Sequence, residues 1–122
     1  MSKKIMVVDD SNAIRQSLVF TLQSAGYEVV EAANGVDALN LMKEHAIGLF
    51  ISDVNMPEMD GITLLRKIKD DKDYKHAPVI MLTTEASGDM INEGKEAGAK
   101  AWMIKPFQPD QLLSAVKKLF VG

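Results

Sequence analysis

Short apolar runs alternate with segments of helical spacing along the whole chain. The runs Ile5–Val8, Tyr27–Glu31, Leu49–Ser52, Val79–Thr83 and Ala101–Ile104 read as strands. They are near-continuous rather than alternating, the pattern of strands covered on both faces. Between them Ile14, Leu18 and Leu22 recur every four residues, and Leu64, Leu65 and Ile68 share a stripe. Leu112, Leu113, Val116, Leu119 and Phe120 form another. The segment Gly35–Glu44 offers Ala38, Leu39 and Met42 behind Asn34, a good N-cap. Gly26 and Gly98 stand where helices must stop before strands, and Pro109 where the last helix begins. Ala77-Pro78 breaks the chain ahead of Val79. The fold class predicted is α/β, a (βα)5 doubly wound parallel sheet with both faces covered. Periodicity leaves the strand order open. The weakest element is Ser87–Ala97, with Gly88 and Gly94 inside and only Met90 and Ile91 as large apolar residues. An interior glycine costs a helix about 1 kcal/mol relative to alanine, so this helix is expected to depend on tertiary packing.

The 122 residues correspond to one domain, residues 1–122, large enough for a proper core. A net charge of -3 argues against a nucleic-acid-binding surface. The absence of cysteine removes disulfides, thiolate metal sites and cysteine nucleophiles. The first apolar run is too short for a signal peptide or a membrane span, so a cytoplasmic protein without membrane contact is expected.

Ligands of open parallel sheets bind outside the carboxyl ends of the strands. Those ends carry Asp9-Asp10, Ser52-Asp53 followed by Val54-Asn55, Thr83-Thr84, and Lys105-Pro106. Three carboxylates against one ammonium leave negative charge uncompensated, which raises carboxyl pKa values unless a cation is present. With oxygen donors and no His or Cys in reach, the cation class is hard. Magnesium fits better than calcium, because it retains waters and combines one or two carboxylates with phosphate oxygens. Such a site suits phosphoryl transfer to a carboxylate, with Asp53 as nucleophile and Thr83 and Lys105 holding phosphoryl oxygens. Taken singly these residues have plainer readings: Asp9 or Asp10 as a helix cap, Lys105 as a solvated lysine. Complementary chemistry at four strand ends is what favours a site.

Four stretches resemble the receiver domains of two-component response regulators. They are Val7-Val8-Asp9-Asp10, Ser52-Asp53-Val54-Asn55-Met56-Pro57-Glu58-Met59-Asp60-Gly61, Leu82-Thr83-Thr84-Glu85-Ala86 and Ile104-Lys105-Pro106-Phe107. The resemblance spans the chain and is strongest to single-domain chemotaxis regulators. It implies the flavodoxin-like strand order 2-1-3-4-5, Asp53 as phosphoacceptor, and Mg2+ held by Asp9, Asp10, Asp53 and the Asn55 carbonyl. It implies phosphoryl contacts from Thr83 and Lys105, a cis Lys105-Pro106 bond, and hydrolysis tuned at Asn55 and Glu85. Autophosphorylation and autodephosphorylation would be the only catalysis. Thr83 and Trp102 match the switch positions, although tyrosine is more familiar than tryptophan at the second. The implied partners are a histidine kinase as donor and a flagellar switch or other motility target. A histidine phosphotransfer protein, in a relay or phosphate-sink role, is the alternative; a phosphatase can be added, and a monomer is expected.

Competing functions fit less well. A haloacid-dehalogenase-like phosphatase expects a second aspartate where Asn55 stands, and an FMN carrier would meet repulsion from Asp9-Asp10. His45 is expected near the end of the second helix, and His76 and Asp70-Asp71-Lys72-Asp73 in polar loops. The eight methionines read mostly as packing, with Met90 and Met103 near the implied output face.

Overall fold

The computed structural model describes residues 3–84 and 87–120. Five strands and five helices alternate: β1 Lys4–Val8, α1 Asn12–Ser24, β2 Val29–Ala32, α2 Gly35–Leu41, β3 Ile47–Asp53, α3 Gly61–Asp70, β4 Val79–Thr83, α4 Gly88–Ala97, β5 Ala101–Ile104 and α5 Pro109–Leu119. All strand pairs are parallel, in the order β2-β1-β3-β4-β5. The flavodoxin-like order implied by the resemblance is the one observed.

Alternate residues of each central strand feed two cores. Met6, Val8, Phe50, Val79 and Met81 pack on one face with Ala38, Leu64, Leu65 and Ile68. Ile5, Val7, Leu49, Ile51, Ile80 and Leu82 pack on the other with Leu18, Leu22, Leu112 and Val116. α1 and α5 therefore cover one face, and α2 and α3 cover the other, where α4 adds Met90 and Ala97. Every residue of β3 is buried, which is why that strand reads as an unbroken apolar run until its final Ser52-Asp53.

The helix punctuation agrees with the sequence at most ends. Asn34 accepts from the Asp37 amide at 2.8 Å, Pro109 opens α5, and Gly98 ends α4 in the left-handed region at φ 110°. The bounds of three strands move: β1 begins at Lys4 and β2 ends at Ala32, each one residue outside the expected run. β2 begins at Val29 rather than Tyr27, because the Tyr27 amide closes the end of α1 by donating to the Leu22 carbonyl at 3.1 Å. β3 extends to Ile47 and to Asp53.

The glycines of α4 have different environments. Gly88 is open, but Gly94 is buried against the Trp102 ring, and a methyl group at Gly94 would overlap the ring carbon Cζ3. The tryptophan packs under α4, with its indole nitrogen buried and without a hydrogen-bond partner among the described residues. The larger ring at the position more familiar as tyrosine is thus matched by a missing side chain on the facing helix. Gly94→Ala gains about 1 kcal/mol of helix propensity but costs about 1–3 kcal/mol of overpacking. A net destabilisation is expected, together with a red shift in emission from the single tryptophan as the ring moves toward water. Unchanged emission would show that α4, not the ring, yields.

Candidate functional site

Strand register brings the site residues together. Val8 pairs with Ser52, so Asp9 leaves β1 beside Asp53 of β3. Asp53 pairs with Leu82, which puts Thr83 one residue beyond it on β4. Thr83 pairs with Ile104, so Lys105 leaves β5 one residue further on, and its amide donates to the Thr83 carbonyl at 2.7 Å. Asp9 and Asp53 lie where the chain order reverses between β1 and β3, the crevice in which open α/β sheets take ligands.

Adjacent strands are about 4.8 Å apart, so Lys105 must reach back over β4 to meet β3. Its long stem does so. The ammonium stands 2.9 Å from Asp9 Oδ2 and 3.2 Å from Asp53 Oδ1, with side-chain exposures of only 8%, 1% and 7% for Lys105, Asp9 and Asp53. The two Asp9 oxygens have different partners: Oδ1 accepts from the Ser11 amide at 2.9 Å, while Oδ2 faces the ammonium without a well-directed hydrogen bond. Neither Asp9 nor Asp10 caps α1. Ser11 does, accepting from the Ile14 amide at 3.3 Å. Asp10 is exposed, and one carboxylate oxygen from each of Asp9, Asp10 and Asp53 lies within 4.8 Å of the others.

The loop after β3 is held close beneath Asp53. Gly61 donates to the Val54 carbonyl at 2.7 Å, and any Cβ there would collide with the Asp53 carbonyl oxygen. Asp60 caps α3 through the Thr63 amide at 2.8 Å, and Glu58 turns the loop at φ 70°. The spacing Asp60-Gly61 in the sequence is thus a cap followed by a close approach.

Burial raises the Asp53 pKa above its ordinary value, and the Asp9 charge adds to that. Charge and hydrogen bonding from Lys105 and the Val54 amide oppose the rise without cancelling it. For Lys105, burial alone acts downward. Its close contacts with Asp9 and Asp53 and the charges of both outweigh it, and the ammonium pKa is raised. Three carboxylates around one ammonium, all with oxygen donors, suit a hard divalent cation. The buried Asp9 Oδ2 and the raised Asp53 are what such a cation would relieve.

Of the other predicted residues, Thr83 is fully buried at the end of β4 and Asn55 is exposed on the β3–α3 loop. The Lys105-Pro106 bond is cis. Trp102 lies on β5 three residues before Lys105. Glu85 lies outside the described residues. The sequence reading missed Arg15, whose guanidinium donates to the Asp9 carbonyl at 2.8 Å. The available signal was a lone basic residue one turn into α1, with an acidic Glu31 on the strand it packs beside.

Residues 5–117 match the response regulator receiver domain family. The chain is 40% identical over 119 residues to the chemotaxis protein CheY of Bacillus subtilis, covering 97% of this chain and 98% of that one. It is 37% identical over 119 residues to the transcriptional regulatory protein SrrA of Staphylococcus aureus, covering 98% of this chain but 48% of that protein. Among solved structures it is similar to Vibrio cholerae CheY4, with a TM-score of 0.93, 42% identity, and coverage of 98% and 100% of the two chains.

Proposed function

Because the chain belongs to the response regulator receiver domain family, we propose that it accepts a phosphoryl group on Asp53 from a histidine kinase and thereby changes its affinity for a target. The carrying observation is the Lys105 ammonium shared between buried Asp9 and Asp53 at the carboxyl end of the sheet. The Asp53 carboxylate attacks phosphorus, the bond to the donor imidazole nitrogen breaks, and an acyl phosphate forms. Asp9, Asp10, Asp53 and the Asn55 carbonyl would hold magnesium, which screens charge between the carboxylate and the incoming group. Lys105 loses one carboxylate charge when Asp53 becomes an acyl phosphate, and its ammonium then pairs with a phosphoryl oxygen. The Thr83 hydroxyl supplies a second phosphoryl contact from β4. Asn55 and Glu85 tune hydrolysis.

Thr83 and Trp102 carry the response toward α4. Phosphorylation biases an existing equilibrium between two packings, and Gly94 is the surface against which Trp102 settles in one of them. Similarity to chemotaxis proteins over nearly their whole length favours a motility target. The action proposed is cytoplasmic; among the described residues no helix is long and apolar enough to cross a membrane. Similarity to the signal receiver domain of a signal transduction histidine kinase from Syntrophus aciditrophicus, 35% identical with a TM-score of 0.88, favours a relay role as the second reading.

The phosphoryl group's fate tests this proposal. Incubated with a labelled cognate kinase, the chain should acquire the label on Asp53 and lose it to water. Rapid passage of the label to a histidine phosphotransfer protein would replace the motility reading with the relay. Failure to acquire label from any kinase phosphohistidine would remove both.

A further inference from the structure

Asp10 is the most exposed of the three clustered carboxylates, and no described hydrogen bond holds its side chain. Its aim therefore depends on the backbone that carries it, the Asp9–Asp10 peptide. That peptide is pinned by a residue from α1. Arg15 uses all three guanidinium nitrogens: Nη1 donates to the Asp9 carbonyl at 2.8 Å, Nε to Glu31 Oε1 at 3.1 Å, and Nη2 to Asn12 Oδ1 at 2.9 Å. Glu31, on edge strand β2, is held in turn by Gln16 Nε2 at 2.8 Å. From the other side the Asp9 amide donates to the Ala32 carbonyl of β2 at 3.2 Å. The Arg15 side chain is only 15% exposed and its bond to the Asp9 carbonyl is partly buried, while Glu31 at 38% faces water.

We infer that Arg15 is a positioning residue that fixes the Asp9–Asp10 peptide and thereby sets the magnesium affinity of the acidic cluster. The inference rests on the proposed magnesium site. Magnesium demands near-octahedral geometry at about 2.0–2.1 Å, so a loop that swivels by a fraction of an ångström loses ligands. Outer groups that orient ligands change metal affinity about 10–100-fold when removed.

Charge alone predicts the opposite sign. Removing the Arg15 cation leaves Glu31 unpaired, and both changes favour a dication nearby. Positioning predicts weaker binding, so the direction of the change separates the two.

The experiment is calorimetric titration of magnesium into the wild-type chain, Arg15→Met and Arg15→Lys, at a temperature where each is folded by circular dichroism. Arg15→Met keeps a similar stem without donors, and about tenfold weaker binding is expected. Arg15→Lys keeps the charge but cannot span three acceptors, so it too should bind more weakly; it carries the test if Arg15→Met does not fold. With acetyl phosphate as donor, the magnesium concentration for half-maximal labelling should rise by more than the saturated rate falls. Unchanged or tighter magnesium binding by a folded variant overturns the inference alone. A wild-type chain that binds no magnesium overturns the metal reading and this inference together.

Discussion

Asp53→Asn should take up no detectable phosphoryl group from acetyl phosphate and magnesium, yet melt at a higher temperature than wild type in EDTA. The first effect follows from removing the nucleophile: an amide has no ionisable oxygen to attack phosphorus. The second follows from the environment that activates it. Burial, and then the Asp9 charge, raise the Asp53 pKa, and the single Lys105 ammonium does not restore it. With a raised pKa, the native chain holds its proton longer than the unfolded chain as pH rises. Ionising Asp53 therefore costs native stability, beginning near the ordinary carboxyl value of 3.8 and completed once pH passes the raised value. Asparagine removes that loss and leaves Asp9 as the one buried carboxylate of the cluster beside Lys105. At neutral pH a melting temperature higher by a few degrees is expected in EDTA, the scale of a single substitution in a domain of this size. The difference should shrink near pH 3.5 and narrow when magnesium stabilises wild type by mass action. Calorimetric melts at the two pH values, with and without magnesium, provide the check. Undiminished labelling on another residue would overturn Asp53 as the nucleophile. An unchanged or lower melting temperature would overturn the account of its electrostatics.

Periodicity was enough to read the layered sheet, because strands buried on both faces must be apolar at every position. Phe50 and Ile51, facing opposite cores, illustrate why. The cluster at the strand ends was legible for a related reason. A parallel sheet gathers all its carboxyl ends on one edge, so Asp9, Asp53, Thr83 and Lys105 converge whatever the exact register. What sequence did not show depends on contacts between elements distant along the chain. Ser11 rather than an aspartate caps α1, because Asp9 is committed to the Ser11 amide and to Lys105. Gly94 read as a weak point in α4 until the Trp102 ring was seen to fill the space beside it. Arg15 belongs to no motif in the sequence, since its three acceptors lie on α1, on β2 and on the loop after β1. Tyr27 falls within an apolar run that reads as a strand, whereas the helix end competes for its amide.

Lys105→Met should act in the opposite direction to Asp53→Asn, although the two substitutions remove opposite ends of the same 3.2 Å contact. Methionine retains an unbranched apolar stem and removes the charge, so packing under the site is largely kept. Two buried carboxylates then lose their only ammonium partner among the described residues, and Asp9 Oδ2 is left facing Asp53. Removing one partner of a buried ion pair costs about 3–5 kcal/mol, which in a domain of this size is a large part of total stability. The Lys105 pKa is raised, burial alone acting downward but the close contact with Asp9 and the two carboxylate charges prevailing. Its contribution is therefore fully present below the ordinary lysine value of 10.5 and lost only as pH climbs through the raised one. At neutral pH the full cost applies. In acid the raised Asp53 carboxyl of the variant takes up its proton, the repulsion is relieved, and the difference from wild type should close. Magnesium should restore much of the loss at pH 7, since it supplies the charge that the ammonium did. Labelling by acetyl phosphate should slow by about a hundredfold, the scale on which one oxyanion donor contributes to a transition state. Urea unfolding at pH 4 and pH 7, in EDTA and in magnesium, tests the stability part, and a variant as stable as wild type at pH 7 in EDTA would refute it. A generic packing defect would destabilise both variants at every pH and would be blind to magnesium. Opposite signs at neutral pH that converge in acid require the charge balance of Asp9, Asp53 and Lys105 to govern both.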